Sequence, residues 1–488
     1  MIPNEIFVAG EWRRGSGEPI NCINPADGTV NATINGASTD DVERAVNAAS
    51  EAAASSGWRE MKPHLRASYL SAIAAAIDAN GDELALLQTK DTGKCLTETR
   101  ALVASAAGTF RYVGAALETL EDQLTPSRGD YLTMSIHEPL GVIGAITPWN
   151  SPIASDAQKI APALAAGNGV IVKPAEWTSL VTLRLARIIE DCGLPAGLVS
   201  VLPGPGSSIG DAIVKHPLIK KVSFTGGTST GRLIAHAAAE KLMPVTLELG
   251  GKSPTIVLPD ANQATAINGI LYGIFSSTGQ SCVAGSRLFV HRDIYDEFVP
   301  RLVEKASSLK VGLPEDPDTR VAPLVAFEHR DHVAKYVQIG IDEGAEVLCG
   351  GKAPTGTPFD KGAFYLPTIL QGVENNARIC QEEIFGPVLV VLPFDSDDDF
   401  IEQANDSVYG LACGVWTENY RRAYKIGRAI ECGTVWINTY KQFSASTPFS
   451  GAKDSGIGVE KGREGIRSYM RQKSIYWGMN TSPMAWAD

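Results

Sequence analysis

The chain has 488 residues, 44% of them hydrophobic and 20% charged, and its 43 basic and 55 acidic side chains leave a net charge of −12. That length exceeds one ordinary hydrophobic core and predicts at least two globular domains. The acidic balance argues against nucleic acid or an anionic membrane as a partner, and no stretch reaches the ~20 apolar residues of a membrane span.

The N-terminus, MIPNEIFVAGEWRRGSG, lacks the basic-then-apolar order of a secretory signal. The eight cysteines (22, 95, 192, 282, 349, 380, 413 and 432) form no CxxC pair, which predicts free thiols in a reducing cytoplasm. The seven histidines show no HxxxH or HExxH pattern, so no metal is expected.

In chain order, the Ala-rich stretches 40–56 and 64–91 read as amphipathic helices, with Thr39 or Asp40 capping the first. Segment 128–143 alternates polar and apolar residues and predicts a hairpin arm. Short apolar runs follow at 140–150, 168–176, 197–204 and 219–227, with helical patterns after the second and the fourth. Such an alternation predicts a parallel sheet covered on both faces. A strand is expected over 244–258, and a second α/β series over about 261–440. The tail 471–480 reads as a strand, pairing either with its own sheet or with another subunit.

Five places along this pattern could carry chemistry. In VSFTGGTSTG, Gly226, Gly227 and Gly231 open a helix after a strand. Such a turn either lets backbone amides approach a phosphate or is merely a tight connection. Lys173 and Glu176 follow the strand GVIV, where α/β sheets bind ligands; the alternative is a solvated charge pair. Asn150 stands between two prolines in TPWNSP, placed either to stabilise an oxyanion or to cap a turn. Glu248 ends an apolar run in ELGG, which suits a general base of raised pKa or a salt-bridged acid at a domain edge. Cys282, in SSTGQSCVAGSR, has small polar neighbours and glycines at 279 and 285. A core thiol usually has apolar neighbours, so Cys282 reads as a nucleophile as readily as a structural cysteine. No histidine lies between His236 and His291 to activate it.

Seven motifs, PWN (148–150), KPAE (173–176), FTGGTSTG (224–231), ELGGKSP (248–254), GQSC (279–282), EEIFGPV (382–388) and PFSGAKDSGIG (448–458), together resemble the NAD(P)-dependent aldehyde dehydrogenase superfamily, in its order and over nearly the whole chain. The resemblance implies an α/β protein of the aldehyde dehydrogenase fold. A Rossmann-like cofactor domain would span 1–116 and 138–247, rejoined by 446–469. A catalytic domain would span 248–445, and 117–137 with 470–488 would form a small β oligomerisation arm of a homodimer or homotetramer.

By matching position, Cys282 resembles the nucleophile, Asn150 an oxyanion donor, and Glu248 the base that activates water against a thioester. Lys173 and Glu176 resemble the adenosine-ribose contacts, and Gly226, Gly227 and Gly231 the pyrophosphate turn. Glu383 resembles the nicotinamide-ribose ligand, beside Phe385, with Trp149 and Ile146 along the cofactor cleft. The implied cofactor is NAD, which Glu176 favours because a carboxylate repels a 2′-phosphate, with NADP as the alternative.

Gly227 stands where many members have Ser, which loses one possible pyrophosphate hydrogen bond, and the other departures from the family pattern fall on the substrate side. Ser151, Ser155 and Gln158 replace bulkier residues, Ser450 follows Phe449 where glycine is usual, and Phe443 and Phe449 could flank a substrate. Lys441 could attract a substrate carboxylate or be a solvated surface lysine. These departures imply a bulky, polar, aromatic or carboxyl-bearing aldehyde. An amino or betaine aldehyde is the alternative, ahead of an acyl-transferring or non-catalytic relative.

Overall fold

Two twisted sheets and a small antiparallel one organise the computed structural model, which describes residues 4–482 and 486. Residues 483–485, 487 and 488 of the expected arm, and residues 1–3, lie outside the described residues.

The first sheet has five parallel strands at its centre, in the spatial order Val199–Val201, Gly169–Lys173, Val142–Ile146, Ile219–Thr225 and Val245–Glu248. Read along the chain, that order is 3-2-1-4-5. Every residue of Val142–Ile146 and Gly169–Lys173 is buried, which is why these strands are unbroken apolar runs rather than alternating ones. Helices Pro152–Ala165, Leu180–Asp191 and Thr228–Ala239 cover the sheet. The order reverses between Val142–Ile146 and Ile219–Thr225, and a sheet of this type binds ligands at the carboxyl ends beside such a reversal. Register places Ile146 opposite both Lys173 and Phe224, and Thr225 opposite Glu248. Side chains separated by up to 102 residues therefore share one sheet end.

The second sheet runs Glu346–Cys349, Thr368–Gln371, Val388–Phe394, Arg287–His291, Pro254–Val257, Ala412–Trp416 and Thr434–Ile437, parallel except at its first pair. Alternate residues feed opposite faces: Ile256, Phe289 and Val390 join one core, Val257, Leu288 and Val391 the other. The third sheet pairs Gln123–Thr125, Tyr131–Pro139 and Met470–Gly478, so the tail strand pairs within its own chain.

Three expectations change. The single strand over 244–258 is two strands in different sheets, Val245–Glu248 and Pro254–Val257. The break falls where Gly250 and Gly251 pass too close to other chain segments for any side chain: a Cβ would lie 2.3 Å from Glu383 Oε2 and 2.4 Å from the Cys282 carbonyl. The helical run 64–91 is two helices, Pro63–Ala79 and Gly81–Thr92, meeting at Asn80. The first helix begins at Thr39 but is capped by Ser38, whose hydroxyl accepts from Asp41 N–H while the Asp41 carboxylate accepts from Ser38 N–H.

Among the described residues no helix is long and apolar enough to cross a membrane. All eight cysteines are free thiols.

Candidate active site

Cys282 leaves the helix Gln263–Phe275 through a turn of unusual backbone. Ser277, Thr278 and Gly279 are successively left-handed, with φ of 56°, 54° and 73°. A non-glycine residue costs ~1–2 kcal/mol in this region, so the surroundings must hold the turn. Glu98 Oε1 accepts from Ser277 N–H (2.6 Å), and Thr278 Oγ1 donates to the Ala322 carbonyl (2.8 Å). The Gln280 amide accepts from Val325 N–H at 2.9 Å. At Gly279 a Cβ would lie 2.0 Å from the Gly386 carbonyl. Gly279→Ala is therefore expected to destabilise the protein by about 3 kcal/mol, read as a shift in the denaturant midpoint at unchanged slope.

The turn brings Cys282 to where the two large sheets meet. Burial pushes its thiol up to about 12, helped by Glu383 and Glu248 and opposed by Lys441. The resting sulfur is thus protonated, and becoming a thiolate requires a base or added positive charge. Asn150, in the loop after Val142–Ile146, donates through Nδ2 to the Gln280 carbonyl at 3.0 Å. That bond fixes the amide two residues from the sulfur and leaves its second N–H free to meet an oxyanion. Glu248 ends its strand buried, and neither carboxyl oxygen has a hydrogen-bond partner. Burial, reinforced by Glu460, holds its pKa well above the ordinary carboxylate range. An orphaned acid is costly to bury and suits proton transfer near neutral pH.

Burial pushes the Glu383 carboxyl up to about 7 while Oε1 accepts from Gly251 N–H at 2.9 Å. Phe385 is left-handed at φ 58° and packs edge-on against Trp149 at 5.2 Å. Trp149 also meets Trp177 at 5.8 Å and His329 at 5.2 Å. His329 Nε2 lies 2.8 Å from the Phe385 carbonyl, which can only accept, so Nε2 carries the proton. Burial lowers the His329 pKa to about 4, leaving the ring neutral.

The remaining cofactor candidates lie around the carboxyl ends of the first sheet. Lys173 Nζ donates to the Pro174 and Gly204 carbonyls, and Glu176 Oε1 accepts from Gly206 N–H at 2.9 Å, with 3.8 Å between the two charges. Ile146 is buried at its strand end. Gly226 and Gly231 are required by packing, since a Cβ would lie 2.5 Å from the Phe224 ring and from Leu249. A Cβ on Gly227 would meet nothing within 4 Å. Gly227 starts the helix Thr228–Ala239 with no side-chain cap, so free amides face open space at a helix N-terminus. These residues fit a dinucleotide: the helix start for its pyrophosphate, Lys173 and Glu176 for its adenosine ribose.

On the substrate side, Ser151 and Ser155 hydroxyls sit 3.2 Å apart. Gln158 is tied to the Glu460 carboxylate, which also holds Lys159 and Ser223. Lys441, half-buried and left-handed at φ 53°, donates to Ser276 Oγ at 2.8 Å, behind the Cys282 turn. Burial and Lys94 lower its pKa to about 7. Phe443 and Phe449 pack edge to face at 5.7 Å.

Sequence reasoning missed Glu98, His329, Lys159, Glu460 and Lys461. Lys159 neighbours Gln158 on a helix already singled out, and Glu460 and Lys461 lie two and three residues past the last quoted motif. A look one turn further along each would have found these three.

A model of the aldehyde dehydrogenase family matches residues 12–475. A betaine aldehyde dehydrogenase of Bacillus subtilis is 39% identical over 482 residues, 98% of each chain. The NAD+ complex of a Bacillus cereus aldehyde dehydrogenase superposes with a TM-score of 0.95 at 40% identity, over 98% of this chain and 96% of that one. The NAD+ complex of a betaine aldehyde dehydrogenase from Staphylococcus aureus gives 0.98 at 36%, over 100% and 97%.

Proposed function

Since the chain belongs to the aldehyde dehydrogenase family and is an NAD-dependent oxidoreductase, we propose that Cys282, whose thiol would release its proton to water once the positive charge of bound NAD favours the thiolate, attacks the aldehyde carbon and carries the acyl group to a second water. The observation that supports this best is the meeting at Cys282 of a tethered Asn150 amide and the unpartnered Glu248 carboxyl. The free Asn150 N–H and the Cys282 backbone N–H stabilise the oxyanion of the hemithioacetal. NAD, when bound, supplies the hydride acceptor that takes the hemithioacetal to a thioester. Glu248 then removes a proton from water, whose oxygen displaces the sulfur and releases a carboxylic acid.

The substrate we propose is a bulky polar, aromatic or carboxyl-bearing aldehyde. Ser151 and Ser155 leave a small, polar wall, and Phe443 and Phe449 supply an apolar one. The relatives named for betaine aldehyde favour a second reading, an amino or betaine aldehyde. Glu176 supports NAD over NADP by repulsion of a 2′-phosphate. Exposed Tyr476 and Trp477 on the tail strand support assembly as a homodimer or homotetramer, and eight free thiols support a cytoplasmic setting.

Reduced-cofactor absorbance over a panel of aliphatic, aromatic, amino and carboxyl-bearing aldehydes, with NAD and then NADP, tests the reading. The expected result is turnover with NAD exceeding that with NADP, highest for carboxyl-bearing or aromatic members. Cofactor binding without turnover of any aldehyde would overturn it.

A further inference from the structure

Lys461 projects from a strained and tightly held backbone. Its φ is 60°, a left-handed conformation that costs a lysine energy and persists only where neighbours impose it. Here Phe449 and Glu460 exchange two backbone hydrogen bonds at 2.8 Å, and Gly462 N–H donates to the Ala445 carbonyl at 2.9 Å. The result aims the Lys461 ammonium over two aromatic faces, 4.4 Å from the Phe443 centroid and 5.4 Å from that of Phe449.

Among the described residues this ammonium has no ion pair and no hydrogen bond. Its sequence neighbour Glu460 is already engaged by Lys159, Gln158 and Ser223. Glu248 has no bonded partner, and burial favours its neutral form. Burial also lowers the Lys461 pKa, while Glu460, Cys282 and Glu248 act within electrostatic range to raise it. A half-buried cation, unpaired and close to the nucleophile, awaits an anion.

We propose that Lys461, rather than Lys441, sets the substrate class: it pairs with a carboxylate at the far end of an aldehyde whose carbonyl carbon lies at Cys282, with Phe443 and Phe449 flanking the body between. The inference rests on Cys282 being the nucleophile. It also disfavours the betaine aldehyde reading. Quaternary ammonium groups bind on aromatic faces, and here Lys461 already occupies those faces and repels a second cation.

The test uses Lys461→Met, which keeps the stem over the rings, and Lys461→Arg. Two probe pairs separate the carboxylate from the body: succinic semialdehyde against butanal, and para-carboxybenzaldehyde against benzaldehyde. The expected result is a fall of at least about tenfold in the acid-to-neutral ratio of kcat/KM for Lys461→Met in one pair or both, chiefly through KM, with the ratio largely restored by Lys461→Arg. Betaine aldehyde should gain in the Met variant. A ratio unchanged in both pairs overturns the proposal. So does an equal loss for acid and neutral aldehydes with a shifted pH profile of Cys282 alkylation, which would place Lys461 behind the thiol. Wild type that oxidises betaine aldehyde but neither member of either pair also overturns the proposal, whereas wild type that oxidises none of these aldehydes fails the dehydrogenase reading itself, independently of the variants. Melting temperatures with NAD present confirm that each variant is folded.

Discussion

Cys282→Ala is expected to lower kcat by about 10⁴-fold or more with every aldehyde. The size follows from the covalent route. Without the sulfur there is no hemithioacetal to give up hydride and no thioester to hydrolyse. None of the other seven cysteines can substitute. Cys22, Cys95, Cys380 and Cys413 are buried, and Cys192, Cys349 and Cys432 have no place in the cluster around Asn150 and Glu248. NAD affinity, followed by fluorescence titration, should survive, because Lys173, Glu176 and the helix start at Gly227 are untouched. The thiol also has a signature of its own. With burial, Glu383 and Glu248 holding it at about 12, alkylation of the wild type by iodoacetamide should be slow at neutral pH and quicken as pH rises, and the Ala variant should lack this phase. A variant within tenfold of wild type would mean that another group forms the bond.

Much of this arrangement was legible along the chain, for physical reasons. A strand buried on both faces must be apolar throughout, so Val142–Ile146 and Gly169–Lys173 stood out as continuous runs. Cys282 stood out by the opposite logic, through small polar neighbours where a core thiol has large apolar ones. What stayed hidden depends on contacts between distant segments. The stretch 244–258 reads as one strand because apolar runs flank GGKS on both sides. It divides between two sheets at Gly250 and Gly251, which meet Glu383 and Cys282 far along the chain. The choice between Lys441 and Lys461 was equally invisible. Both are lysines in the same glycine- and serine-rich region. Only the backbone exchange between Phe449 and Glu460, and the bond from Lys441 to Ser276, show which ammonium faces the aromatic pair. The clamp of Gln158 and Lys159 on Glu460 joins residues about three hundred positions apart, a separation that no local pattern encodes.

Glu248→Gln is expected to slow steady turnover sharply while sparing the first. Mixed rapidly with NAD and aldehyde, the variant should release a burst of reduced cofactor close to one per active site. It should then proceed about 10²–10⁴-fold more slowly than wild type, because a thioester waits for a water that nothing deprotonates. The pH dependence has a definite sign. Burial and Glu460 raise the Glu248 pKa, and a general base acts only when deprotonated. The wild-type kcat should therefore climb as pH rises through that raised value, and this limb should vanish in the variant. Stability runs the other way. A folded-state pKa above the unfolded one contributes stability that is fully present below the unfolded value and lost as pH rises through the folded one. At neutral pH the native Glu248 is thus a cost to the fold, its two oxygens buried without partners. The glutamine amide carries no charge to desolvate, so the variant should melt no lower than wild type at neutral pH. A variant that turns over slowly yet is at least as stable is the expected mark of a residue kept for chemistry. Loss of the burst itself would place Glu248 before hydride transfer and overturn its role as the hydrolytic base.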